Sequence, residues 1–211
     1  MTISRRQFIG AGICVGAGFA SPGGAIIAPA SQSPSIPPSP ALPPVPPVIQ
    51  SGLEALSRHH ASVVHRDRMA IADYSQASSE ARFHIIDVQQ GRIEASYLVS
   101  HGRGSDPSNS GFVERFSNRP GSNASSSGSF LTDDIYYGKH GRSRRLLGLD
   151  AENNLAWDRA IVIHGAEYVD RSMAELQGRV GRSLGCFAFE QGKIDEILEL
   201  LGPGRLLFST K

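Results

Sequence analysis

Ten of the chain's 13 prolines fall between Pro22 and Pro47, which leaves only Pro107, Pro120 and Pro203 for the rest of its 211 residues. Proline fixes φ and removes a backbone donor, so a segment this rich in it cannot join a packed helix or a sheet interior. The distribution divides the chain: residues 31–50 are expected to be an extended, Pro-rich linker, and 51–211 a folded body. About 160 residues are enough to bury a self-sufficient core. Residues 1–50 hold Arg5 and Arg6 and no acid, so the body carries 19 basic and 20 acidic groups. That balance excludes the basic footprint of a nucleic-acid binder and a solvating acidic tail.

Ahead of the linker, Ser4-Arg5-Arg6-Gln7-Phe8-Ile9-Gly10 sets two arginines directly before an uncharged stretch that runs to Ala30. Gly and Ala dominate there and leucine is absent, whereas a spanning helix needs about 20 strongly apolar residues. A charged start, a weakly apolar middle and the small-residue exit Ala28-Pro29-Ala30 predict an export signal over 1–30. The arginine pair resembles a twin-arginine signal. The expected location is the periplasm or cell envelope, with no stable membrane span once the signal is removed.

Within the body, residues 53–66 pattern as an amphipathic helix, and 69–74, 82–88 and 92–100 as strands, with Gln90-Gly91 as a turn. Residues 101–129 form a long span rich in Gly and Ser, expected to be a cleft wall or a mobile cover. Short strands are predicted at 130–131, 135–137 and 146–149, and the clearest buried one at 159–164. A helix over 193–201, closed by Gly202-Pro203-Gly204, and a strand at 206–208 complete a mainly β (α+β) body with a few short helices.

Two cysteines occur, and Cys14 would leave with the signal. A single thiol in an oxidising compartment cannot form an internal disulfide, which raises the prospect of a reactive group. In Ser183-Leu184-Gly185-Cys186 the glycine lets the backbone turn sharply and brings amide N–H groups toward an attacked carbonyl. Arg179 and Arg182 stand just upstream, where they favour thiolate. A buried, inert cysteine is the competing reading. A thiol nucleophile needs a base, usually histidine. Three of the seven histidines precede glycine: His101, His140 and His164. His164 ends the apolar run Ala160-Ile161-Val162-Ile163, 22 positions before Cys186, and is favoured over the other two. His59, His60 and His65 read as solvated helix surface, and no ligand set suggests a metal.

The pair His164-Gly165 and Ser183-Leu184-Gly185-Cys186 resembles the HG…SxGC signature of L,D-transpeptidases of the YkuD type. The flanking blocks Val99-Ser100-His101-Gly102, Phe116-Ser117-Asn118, Tyr137-Gly138-Lys139-His140-Gly141 and Tyr168-Val169 are similar to the murein L,D-transpeptidase catalytic domain family. The resemblance implies a β-sandwich of the L,D-transpeptidase kind and an exported acyltransferase acting on peptidoglycan stem peptides. In that reading Cys186 forms a thioester, and His164 is the base, oriented by the carbonyl of Gly165. Amides near Gly185 and Cys186 hold the oxyanion, and Ser183 supports the loop. The acceptor is an amine on a second stem peptide; no cofactor or metal is implied. Where the family commonly carries a hydrophobic residue and then arginine after the cysteine, this chain has Phe187-Ala188, which leaves a carboxylate-binding role open to Arg182 or Arg179. Two alternatives share the sequence features: an L,D-carboxypeptidase or amidase that passes the acyl group to water, and a non-catalytic wall-binding module.

Overall fold

The computed structural model describes residues 45–211, so the expected signal, Cys14 and most of the expected linker lie outside the described residues. The first element is α1 (Pro47–Arg58), which begins inside the proline run and ends eight residues before the helix expected from the sequence. Proline is suited to a helix's first turn, where its missing N–H has no partner to lose. The apolar face of α1 carries Ile49, Ala55 and Leu56 onto the strands that follow, so the body starts ahead of residue 51.

Eight strands follow: β1 (Arg68–Asp73), β2 (Phe83–Asp87), β3 (Arg92–Tyr97), β4 (Gly128–Gly138), β5 (Gly141–Gly148), β6 (Val162–Gly165), β7 (Phe187–Phe189) and β8 (Leu206–Thr210). Helix α2 (Arg171–Gln177) lies between β6 and β7, and α3 (Ile194–Leu200) between β7 and β8. All eight strands form one hydrogen-bonded sheet in the order β3-β2-β1-β8-β4-β5-β6-β7. The β1–β8 and β6–β7 pairs are parallel and the others antiparallel.

The sheet doubles back on itself at β4, whose register with β5 shifts between Thr132 and Ile135. Such an irregularity bends a strand and sharpens its twist. Phe83 of β2 thereby meets Phe189 of β7 with ring centroids 4.7 Å apart. The two faces enclose a single core that includes Ala70, Ile85, Phe130, Leu146, Ile163 and Phe187, with α3 adding Ile194, Ile197 and Leu198. The body is therefore mainly β with three short helices, two layers made from one sheet.

After β3 the chain returns to cover the open edge of β7. Ser100 N–H donates to Ala188 O, Ser183 N–H to His101 O, and Arg103 N–H to Ser183 O, each at 2.9 Å. Residues 101–129 are far from a loose cover. Ser105, Asp106, Ala124, Ser125 and Ser126 are buried, and the small polar side chains bond within the span: Gly102 N–H to Ser125 Oγ at 3.0 Å and Ser125 N–H to Ser105 Oγ at 2.9 Å. Serine hydroxyls supply here the backbone partners that a strand ladder supplies elsewhere. Among the described residues no helix is long and apolar enough to cross a membrane.

Candidate active site

The alternation of a β-strand decides which side chains share a face. Ile161, just before β6, and Ile163 on it point into the core, so Val162 and His164 point outward; on β7, Phe187 and Phe189 point inward, so Cys186, just before it, points outward. His164 pairs in register with Ala188, and Ile163 with Phe187. Cys186, one residue before that pair, comes level with Val162. His164 and Cys186 thus stand one rung apart on neighbouring parallel strands, on the same face, and both line one cavity of about 390 Å³. Tyr136, Lys139, His140, Arg159, Ala160 and Tyr168 also line it, together with Arg182, Ser183 and Leu184.

The turn before Cys186 is fixed by its own residues. Gly185 has φ of 115°, and a Cβ there would lie 2.6 Å from Ala124 O, so only glycine fits. Ser183 Oγ donates to Cys186 O at 2.7 Å and accepts from Gly185 N–H at 3.1 Å. That second bond commits the Gly185 amide, which the sequence had set toward an oxyanion, to the serine in the resting site. Phe187, the residue after the cysteine, faces away from the cavity and packs on Tyr74 and Phe130 in the core.

His164 is buried, and its Nδ1 lies 2.8 Å from Gly165 O. A carbonyl only accepts, so Nδ1 carries the hydrogen and Nε2 keeps its lone pair. Burial pulls the imidazole down to about 4 despite the Gly165 carbonyl, and the neighbouring His140 and Lys139 act in the same direction as burial. Burial also pushes the Cys186 thiol up, against the pull of the Val162 backbone and of Lys139 and Arg159. The resting site therefore holds a neutral thiol beside a neutral imidazole. The thiol points toward Ala160 O, 3.5 Å away. Ala160 itself has φ of 53°, a left-handed backbone that costs a non-glycine residue about 1 kcal/mol or more.

Two groups in the cavity had no decisive signal in the sequence. His140, the less favoured of the His-Gly pairs, stacks on His164 with centroids 4.1 Å apart and planes at 22°. It comes from the β4–β5 hairpin, which folding lays over β6. Arg159 anchors the cavity wall: its guanidinium donates to Ser117 O at 2.7 Å, Ser126 Oγ at 2.5 Å and Ala124 O at 2.5 Å. Arg182 lines the cavity and donates to Asp106 O. Arg179 lies outside it, with Gln177 O as its partner at 3.3 Å. His101 is also outside the cavity: it is fully buried between Arg82 and Asp106. No group of three or more His, Cys, Asp or Glu side chains among the described residues is placed to hold a metal.

The model of the L,D-transpeptidase catalytic domain family matches residues 45–210, the whole of the described body. The chain belongs to that family. Solved L,D-transpeptidases share little sequence with this transpeptidase domain. An L,D-transpeptidase from Mycobacterium smegmatis is 12% identical over 69% of this chain and 59% of its own, with a TM-score of 0.41. L,D-transpeptidase 3 from Mycobacterium tuberculosis is 11% identical over 69% of this chain and 61% of its own, at 0.42. The L,D-transpeptidase of Xylanimonas cellulosilytica is 13% identical over 76% and 69%, at 0.40. The chain spans about three fifths of the length of the first two. No curated protein matches it.

Proposed function

We propose that this transpeptidase domain is an exported cysteine acyltransferase that cross-links peptidoglycan stem peptides. The observation that carries the reading is one cavity lined by both the only thiol and a histidine whose Nε2 has no hydrogen-bond partner among the described residues. As substrate enters, Cys186 Sγ attacks the carbonyl carbon of the L,D-peptide bond and its proton passes to His164 Nε2. The S–C bond forms, and the tetrahedral intermediate collapses by breaking C–N, with the proton delivered from His164 to the departing D-alanine amine. The acceptor amine, a diaminopimelate side chain of a second stem, then attacks the thioester and gives a proton to His164. Collapse breaks C–S, and the thiolate recovers that proton.

Gly165 O holds His164 in the tautomer this sequence requires, and the Cys186 amide meets the developing oxyanion, joined by that of Gly185 once its bond to Ser183 Oγ is released. With both groups neutral at rest, proton transfer accompanies attack instead of preceding it, as general-base catalysis does. Activity outside the cytoplasm follows from the substrate, and residues 1–30 supply the export signal, of the twin-arginine type. The test is to incubate the full chain with a tetrapeptide donor, with and without a diamino acceptor, and weigh the products. Transfer predicts a cross-linked product that appears only with the acceptor and vanishes in Cys186→Ala. Hydrolysis alone at saturating acceptor would make the protein a carboxypeptidase, and no turnover in either arm would leave a binding module.

A further inference from the structure

Arg145 lies on β5, directly opposite Val162 of β6, just as Ser143 lies opposite His164. Paired residues on adjacent strands project to the same face, so Arg145, Val162 and Cys186 form one row across β5, β6 and β7. Two strand spacings separate the Cα atoms at its ends by about 10 Å. The Arg145 guanidinium is clamped between two aromatic rings, 4.5 Å from the centroid of Tyr136 and 4.8 Å from that of Trp157. Tyr136 itself lines the cavity. Two rings thus hold the guanidinium, yet among the described residues Arg145 forms no ion pair.

Arg145 is not itself among the residues that line the cavity, and the two arginines that do line it differ from it. Arg159 is spent on the carbonyls of Ser117 and Ala124, and Arg182 on that of Asp106. A planar fork held against aromatic rings, with no ion-pair partner among the described residues, is preorganised for a carboxylate, which it meets in two parallel hydrogen bonds. Ring stacking removes the rotamer freedom that an exposed arginine would otherwise lose on binding.

We propose that Arg145 is a specificity-determining residue that receives the C-terminal carboxylate of the acyl donor, the group carried by the residue that leaves. The inference rests on the acyl-transfer reading above. The attacked carbonyl must touch Cys186 Sγ at one end of the row. The carboxylate of the next residue lies about one Cα–Cα step, roughly 3.8 Å, further on. That places it between thiol and guanidinium, with His164 on the adjacent rung beside the amine that departs.

The test compares two synthetic tetrapeptide donors, one ending in a free carboxylate and one in a carboxamide, on the full chain. Wild type is expected to favour the carboxylate by at least about tenfold in kcat/KM, a charge-assisted bidentate pair being worth that much. In Arg145→Gln the ratio is expected to fall to within about twofold of unity. Arg145→Lys, which keeps the charge and loses the fork, should retain an intermediate ratio. A variant that slows both donors equally, with the preference intact, would mean that Arg145 only packs the two rings and would overturn the inference alone. A wild type without preference would do the same. A wild type that processes neither donor would overturn the acyl-transfer reading and this inference with it.

Discussion

His101 and His164 begin alike and end differently. Each precedes a glycine, each is buried, and burial draws each down to about 4. At His101 both ring nitrogens are taken: Nδ1 accepts from the Arg82 guanidinium at 2.7 Å, and Nε2–H donates to Asp106 Oδ2 at 3.2 Å. At His164 only Nδ1 has a partner among the described residues, Gly165 O, and the residue lines the cavity. The two rings carry their hydrogen on opposite nitrogens. On the proposed function, what makes a histidine a base is neither burial nor a low proton affinity but a nitrogen left free beside a nucleophile. The sealed histidine still serves the open one. His101 O accepts from Ser183 N–H and Asp106 O from Arg182, so the Arg82–His101–Asp106 chain holds the strand of backbone that presents Cys186.

The contrast can be broken most sharply by removing the two groups proposed to react. Cys186→Ala and His164→Gln should each lower acyl transfer by about a thousandfold or more, with the melting temperature within a few degrees of wild type. Thioester trapping by mass spectrometry should show no adduct in the first. His101→Ala should do the reverse. It leaves Arg82 and Asp106 buried without their bridge and opens a cavity, so it should destabilise by about 3–5 kcal/mol in urea titration. The fraction that remains folded should keep the wild-type pH profile. If His101→Ala instead left stability unchanged and abolished turnover, the roles assigned to the two histidines would be reversed.

Acid should act on both histidines through linkage. Each has a folded-state value near 4 against about 6.5 for the free side chain, so the unfolded chain binds more protons between those values. Stability is then highest above pH 6.5 and falls as pH drops toward 4, by up to about 3 kcal/mol for each histidine. Urea midpoints measured from pH 7 to 4.5 should show the decline, and His164→Gln should remove part of it. On the same basis kcat/KM should hold from neutral pH down to about 5 and drop near 4 as His164 takes up its proton. The smallest effect is expected at His140. Phenylalanine there keeps a ring over His164 and should cost only a few-fold, while alanine frees the imidazole and should lower kcat by about tenfold with KM little changed.

Much of this was legible in the residues because it is local. The strands around Ile85, Ile163 and Leu207 announce themselves by apolar runs, and the need for glycine at 185 by its place before the only thiol of the body. The short strand Phe187–Phe189 and helix Arg171–Gln177 escaped notice, being too brief to show a period; α2 is marked chiefly by the Asp170 side chain that accepts from Met173 N–H and by Gly178 at its end. The start of α1 was hidden by prolines, which suit a first helical turn as well as an extended spacer.

The sequence by itself determined which residues could react and which segments could be strands, since thiol chemistry, glycine geometry and side-chain alternation belong to single residues and near neighbours. Tertiary structure alone decided the partners. Whether a histidine is sealed or open, which of several arginines lacks an acceptor among the described residues, and that His140 lies on His164 all depend on how far-apart strands are laid side by side. Those pairings follow from the fold of one sheet onto itself, and no spacing along the chain encodes them.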